Sequence, residues 1–405
     1  MDFINNYRKK NQPAFIVFGF LVFFLFLVGY IYYVNIGDFG ILDDIWNLNP
    51  LKSLDYGHVS WSEIVLNNTS GPLGRPISML TFVLDWTGSI DRFVQFKKTN
   101  TAIHLICCCL CFLISAKAAL FSKLLVPYKY HFALTVSVLW LISPIHVSTV
   151  MYSIQRMSQL SCLFSMLAIL TYIVLRDGGH GSFRNSMLGC FFSLFFICLA
   201  ALSKENGLAT LGVLFIIEAM FFGFREKNQK SKFLIWFWSF SVSISVAILI
   251  VMAIRRFSLE PLPNREFNTA ERMLTQIHVV FDYLINIIVP NINGMTIFHD
   301  DFSVSRGYFD NPFTILKSIA LISPLLLILK KSNSIARIML FGFLFYLMSI
   351  FLESSFINLE LYYEHRNYFP SFGVFLAISA LIWHAYISYK KKLAVAFFSV
   401  LYISI

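Results

Sequence analysis

Residues 13–34 read Pro-Ala-Phe-Ile-Val-Phe-Gly-Phe-Leu-Val-Phe-Phe-Leu-Phe-Leu-Val-Gly-Tyr-Ile-Tyr-Tyr-Val, 22 residues without a charged side chain. A helix of about 20 consecutive apolar residues crosses the hydrocarbon core of a bilayer, so this run predicts a membrane span. It is too long for the apolar part of a signal peptide, and no clear small-residue cleavage site follows, so it reads as an uncleaved anchor. Similar runs recur at 99–119, 132–150, 157–175, 186–202, 206–224, 233–253, 313–329, 338–352, 370–389 and 393–405, giving about eleven spans. Composition agrees: of 405 residues, 57% are hydrophobic and only 13% charged, against about 25% charged in soluble domains. That excludes a cytosolic enzyme, a disordered scaffold and a secreted disulfide-rich module. The expected fold class is an all-α polytopic membrane protein, one transmembrane domain over 1–405 with no separate soluble domain.

The net charge of +10 is distributed by topology. Basic clusters (Arg8, Lys9, Lys10; Lys117, Lys123, Lys129; Arg176, Arg184; Arg225, Lys227, Lys230, Lys232; Lys330, Lys331, Arg337; Lys390, Lys391, Lys392) alternate along the chain with acid-rich loops. Lys and Arg in short loops mark the cytoplasmic side. The N-terminus is therefore expected inside and the acidic loops outside. No basic face is formed, and no nucleic-acid partner is expected. The two long outer segments are 35–98 and 254–312, where any chemistry should be built. Each carries an apolar stretch too short to cross, near 76–90 and 273–289; both read as interfacial or re-entrant helices on the outer face. All seven cysteines (Cys107, Cys108, Cys109, Cys111, Cys162, Cys190, Cys198) fall within apolar spans, where packing explains them better than disulfides or zinc.

Polar residues gather at the expected outer helix ends. Asp43-Asp44 follows the first span. Paired carboxylates there suit a general base and a hydroxyl-orienting partner, although Asp is also a common helix cap. Arg75 precedes Pro76; its planar fork suits phosphate, or it snorkels. His146 follows Pro144, and Gln155-Arg156 opens the next span. Ser203-Lys204-Glu205-Asn206 sits between two spans with almost no loop, where a Lys-Glu pair is costly unless it is paired or functional. Tyr362-Tyr363-Glu364-His365-Arg366-Asn367-Tyr368 precedes 370–389 and suits an interfacial anion site, or an aromatic belt. His299-Asp300-Asp301 has the donor types for a divalent metal, or is a solvated loop. Asn67-Asn68-Thr69-Ser70 carries glycosylation sequons.

The order of these groups is more specific than any one of them. Leu42-Asp43-Asp44, Arg75-Pro76-Ile77-Ser78-Met79-Leu80-Thr81-Phe82, Asn100-Thr101-Ala102-Ile103-His104, Ser143-Pro144-Ile145-His146, Ile154-Gln155-Arg156-Met157-Ser158, Leu202-Ser203-Lys204-Glu205-Asn206, Glu271-Arg272-Met273-Leu274-Thr275-Gln276 and Glu364-His365-Arg366-Asn367-Tyr368-Phe369-Pro370-Ser371 follow one another over residues 42–371. This succession resembles the GT-C superfamily of membrane glycosyltransferases, nearest to the transmembrane tetratricopeptide-repeat O-mannosyltransferases and their bacterial relatives. Ser143 stands where the family's His-Pro-x-His has its first His, and tetratricopeptide repeats are absent from the chain.

The resemblance implies an inverting transferase. A polyprenyl-phosphate-linked sugar would be the donor, and a Ser or Thr hydroxyl of an exported protein, such as a type IV pilin, the acceptor. In that reading Asp43 is the base and Asp44 orients the acceptor. Arg75, Arg156, Lys204 and Arg366, with His146 and His365, hold the donor phosphate. His104, Gln155, Glu205 and Glu364 support them, Glu205 holding Lys204 or Arg156. No cofactor is expected; His299, Asp300 and Asp301 keep a divalent metal open. The pattern implies a bacterial inner membrane with a periplasmic site. Within enzymes, the alternative is a glycan or lipid acceptor. A lipid-linked-sugar transporter or flippase would instead need repeated halves and mid-membrane polar residues; an inert anchoring protein would not need converging acids and cations.

Overall fold

The computed structural model describes residues 2–389 except 42, 58, 89–91, 178–181, 228, 263–264, 297–298, 300–301, 310–311 and 329–333. In chain order the helices are α1 (Asp2–Val34), α2 (Asp43–Leu48), α3 (Trp61–Leu66), α4 (Pro76–Leu84), α5 (Arg92–Ala118), α6 (Lys129–Leu141), α7 (Val147–Met151), α8 (Arg156–Asp177), α9 (Phe183–Ser203), α10 (Thr210–Ile217), α11 (Lys232–Arg256), α12 (Thr269–Ile288), α13 (Phe313–Ile322), α14 (Ser334–Ile350) and α15 (Ser371–Tyr389). A two-residue hairpin pairs Arg225–Glu226 with Gln229–Lys230. The protein is an all-α polytopic membrane protein.

Seven described helices are long and apolar enough to cross a bilayer, or eight counting one bent pair. The expected span 132–150 is that pair: Pro144 cannot donate to the ladder, and the chain bends by 53° between Val126–Leu141 and Pro144–Met151. The runs 313–329 and 338–352 form shorter apolar helices, Phe313–Leu326 and Ser334–Ile350. The expected span 393–405 lies outside the described residues.

The two short stretches are helices, as expected. α4 has nine residues, opens with Pro76 at its first turn and follows Arg75, whose φ of 48° is left-handed. α12 starts at a capping box in which Asn268 accepts from the Glu271 amide and Glu271 accepts from that of Asn268. It buries Arg272, Thr275, Gln276, Val279, Tyr283 and Ile287, the three- and four-residue spacing of one helix face.

The membrane core packs Trp140, Tyr172, Phe345, Tyr346, Phe372 and their neighbours. α14 meets α15 where Gly342 and Gly373 face each other, and a Cβ on either would run into the carbonyl of the other. Small residues permit such close approach of membrane helices. α1 and α11 bury little and present exposed Phe, Ile, Val and Tyr side chains, as lipid-facing helices do.

The long apolar helices run between two ends of the bundle. Arg176 of α8 bonds Glu218 beyond α10, Ser122 after α5 bonds Ser334 of α14, and Trp383 of α15 packs its ring against Tyr128 before α6. These contacts define the basic end. Asp44, Asn100, Lys204 and Glu353 define the other, to which Arg255 and Arg256 at the end of α11 add positive charge.

Candidate active site

At that second end a cavity of about 1440 Å³ joins two surfaces of different chemistry. One is apolar, built by Leu211, Phe215, Val242, Leu249, Met348 and Phe351 of α10, α11 and the α14 region. The other carries Asp43, Arg75, Gln155, Lys204, Glu205, Glu353, Glu364, His365 and Arg366.

The adjacent acids part company at the start of α2. Asp44 is fully buried. Its carboxylate accepts from Ile154 N at 2.6 Å and Ile41 N at 3.1 Å. Burial pushes its pKa up to about 6, against the two amides and nearby Lys97, which favour the charged form. Asp44 thus ties the first loop to the start of α8 and does not line the large cavity, as an acceptor-orienting group would have to. Asp43, one position earlier at the start of α2, is exposed, lines the cavity and has no side-chain partner among the described residues. Its amide donates to the Tyr152 hydroxyl at 2.9 Å, which fixes the main chain and leaves the carboxylate free.

The cations sort differently from the sequence expectation. Glu205 holds neither Lys204 nor Arg156: it accepts from Arg75 Nη2 at 2.9 Å and Nε at 3.1 Å. Lys204 instead donates to Glu353 at 2.7 Å and Ser158 Oγ at 3.0 Å, while Asn206 donates to the other Glu353 oxygen at 3.2 Å. The turn between α9 and α10 makes this split. Lys204 is extended (φ −160°, ψ 138°), so adjacent side chains point to different neighbours. Gly207 then lies so close to Ala200 that a Cβ would come within 2.6 Å of its carbonyl carbon.

Arg366 donates through Nη1 to Leu361 O at 3.0 Å and is a lining residue of the cavity. Burial, then Lys204, Arg366 and Arg75, hold His365 well below the usual imidazole range, so it is neutral among three cations. Burial pushes Glu353 up, yet Lys204 and Arg366 outweigh it and hold the carboxyl below its ordinary value. Arg75, Lys204, His365 and Arg366 therefore share one neighbourhood.

Arg156 and His146 lie outside it. Arg156 is fully buried and donates to Asn100 Oδ1 at 2.9 Å, Phe96 O at 2.8 Å and Thr81 O at 3.0 Å, with Asp85 at 2.6 Å. It joins α4, α5 and α8, and its donors are occupied, so it is a scaffold residue rather than a phosphate ligand. His146 meets Ser371 Oγ at 2.9 Å, and His104 meets Tyr368 OH at 2.8 Å; both rings pack on Trp140. Gln155 lines the cavity and accepts from Ser158 Oγ at 3.0 Å. Of the metal candidates, His299 Nε2 meets Glu364 Oε1 at 2.5 Å, and Asp300 and Asp301 lie outside the described residues. Among the described residues no group of three or more His, Cys, Asp or Glu side chains could hold a metal ion.

Sequence reasoning missed Glu353, Arg256 and Arg265. Glu353 directly follows an apolar span, which was its one signal. Arg265, 2.6 Å from Glu360, lines the cavity with Arg256.

Comparison with known proteins agrees with the resemblance. The chain is 28% identical over 209 residues to protein O-mannosyl-transferase TMTC1 of Homo sapiens, covering 48% of this chain and 22% of the relative. It is 26% identical over 190 residues to human protein O-mannosyl-transferase TMTC4, covering 44% and 25%. Human protein O-mannosyl-transferase TMTC3 is 28% identical over 182 residues, covering 44% and 18%. The matches span about a quarter or less of those relatives' lengths. No protein-family model matches, and no solved structure does. The chain resembles these protein O-mannosyl-transferases.

Proposed function

We propose that the protein is an inverting glycosyltransferase that moves a sugar from a polyprenyl-phosphate donor to a Ser or Thr hydroxyl of an exported protein, a type IV pilin subunit being one such acceptor. The observation that carries this reading is the single cavity joining an apolar groove to a cluster of one free carboxylate and several cations. A lipid tail suits the groove between α10, α11 and α14; its phosphate would then reach Arg75, Lys204 and Arg366. The relatives' names supply the protein O-mannosyl transfer part of the reading.

In the reaction the acceptor oxygen attacks the anomeric carbon and the bond from that carbon to the phosphate oxygen breaks. The electron pair leaves with the polyprenyl phosphate, and the hydroxyl proton passes to Asp43. A positioned carboxylate is worth about 10²–10⁴-fold in such a step. Cations preset around the leaving phosphate stabilise charge that grows in the transition state. The alternation of basic and acidic ends argues for a cytoplasmic N-terminus and a site on the periplasmic face of a bacterial inner membrane.

The test is transfer by the purified chain from a polyprenyl-phosphate sugar to a Ser/Thr-bearing pilin-like peptide, read by mass spectrometry. Sugar on the peptide with wild type and its loss with Asp43→Asn is the expected result. Equal transfer by both proteins would remove Asp43 as the base, and no transfer to any peptide, glycan or lipid acceptor would remove the transferase reading.

A further inference from the structure

Segment 351–363 leaves α14 and turns through the cavity wall without helix or strand. It carries Glu353, Glu360 and Tyr363, all cavity residues. A chain that turns without a ladder leaves carbonyls in need of donors. Here one side chain collects them. Arg272 of α12, fully buried, donates through Nε to Ile357 O at 2.7 Å. Its Nη1 reaches Leu359 O at 2.9 Å and Glu360 O at 3.2 Å, and its Nη2 reaches Glu353 O at 2.9 Å. Gln276, one turn on, donates to Leu361 O at 2.9 Å, and the Tyr283 hydroxyl accepts from Tyr363 N at 2.6 Å. The segment is wrapped around one face of α12.

We infer that Arg272 is a positioning residue for the donor site, acting through the main chain of Glu353 on Lys204. Glu353 is the shared member: its carbonyl accepts from Arg272, and its carboxylate accepts from Lys204 at 2.7 Å. Lys204 faces the cavity. A planar guanidinium with five fixed donors can gather four carbonyls from one loop; an ammonium with three donors at a point cannot. Arg272→Lys keeps the charge and loses the wrap, so Glu353 drifts and Lys204 loses its place beside the phosphate. The inference rests on the transferase reading for its kinetic part and on geometry for the rest.

The experiment uses the full chain in detergent with a polyprenyl-phosphate sugar and a Ser/Thr peptide. Arg272→Lys, Glu353→Gln and the double variant are compared for kcat/KM of the donor, KM of the acceptor and hydrogen exchange. Misplacing a phosphate-holding group by about 1 Å costs about 10²-fold, so each single variant should lose about that in donor kcat/KM with the acceptor KM unchanged. The double variant should lose no more than the worse single one, because both act on the same Lys204. Losses that multiply, or wild-type donor kinetics in Arg272→Lys, would overturn the inference. If Arg272→Lys does not accumulate, Gln276→Ala removes the neighbouring anchor and should give a smaller loss in the same parameter; no change overturns it. Should the wild-type chain transfer no sugar, the transferase reading fails. The relay is then judged by exchange alone: faster exchange at both 353–361 and 203–206 in Arg272→Lys or Gln276→Ala supports it, and faster exchange at 353–361 only refutes it.

Discussion

Lys204 and Glu353 meet at 2.7 Å across the wall of the cavity, their side chains only 10% and 8% exposed. They come from the turn after α9 and the end of α14, so the pair ties together two elements far apart in sequence. Burial lowers the Lys204 pKa; Glu353 raises it, and Arg75 lowers it again. The pair neither sits in water nor stands alone.

Removing one partner should therefore be worse than removing both. Glu353→Gln leaves an unpaired buried ammonium and should destabilise the protein by about 3–5 kcal/mol. Lys204→Met with Glu353→Leu should recover most of the melting temperature, yet leave donor use impaired. Thermal unfolding in detergent, read beside the transfer assay, separates the two effects; recovery of both together would mean that the pair is structural only.

The neighbouring acids should respond in opposite ways to the same change. Asp43→Asn removes no bond within the protein and should keep the wild-type melting temperature while losing about 10²–10⁴-fold in transfer rate. Asp44→Asn aims an amide NH₂ at the amide of Ile154 or Ile41, each of which needs an acceptor, and should cost about 1–3 kcal/mol. A stable but inactive Asp44→Asn protein with an active Asp43→Asn protein would reverse these roles.

Asp44 also sets a pH dependence. Its folded pKa of about 6 lies above its ordinary 3.8, so the folded state holds the proton more tightly than the unfolded chain. Stability from this group is therefore greatest below about 4, falls as pH rises to about 6 and is level above it. The gap in melting temperature between wild type and Asp44→Asn should therefore narrow as pH rises from 4 to 6 and stay constant above it; parallel curves would show that Asp44 does not titrate there.

Two arginines expected to share a role should also separate. Arg156→Ala abandons acceptors in α4 and α5 and should lower stability by several kcal/mol, with folded survivors showing ordinary donor KM. Arg366→Ala removes a residue that lines the cavity, and should weaken donor use while the protein melts normally. A matched rise in donor KM for both would return Arg156 to the phosphate site.

Much of this arrangement was legible in the sequence. Seven of the apolar runs became helices long enough to cross a bilayer, the run 132–150 became a bent pair, and the short stretches before α5 and α13 gave α4 and α12. Asp43, Arg75, Lys204, Glu205, His365 and Arg366 were placed at one end, and they line one cavity. The roles of Asp44, Arg156 and His146 were not legible. Each lies within a residue or two of a cavity group, and a helix turns neighbours to different faces.

Sequence by itself determined which runs are apolar enough to cross a bilayer and where the charged groups between them fall. Both follow from local physics: transfer of a run of side chains into hydrocarbon, and the cost of a charge there. Tertiary structure alone decided who pairs with whom: Arg75 with Glu205, Lys204 with Glu353, Arg272 with the carbonyls of 353–360. In a medium that solvates charge poorly each buried ion must find a partner, and packing between distant helices decides which one is within reach.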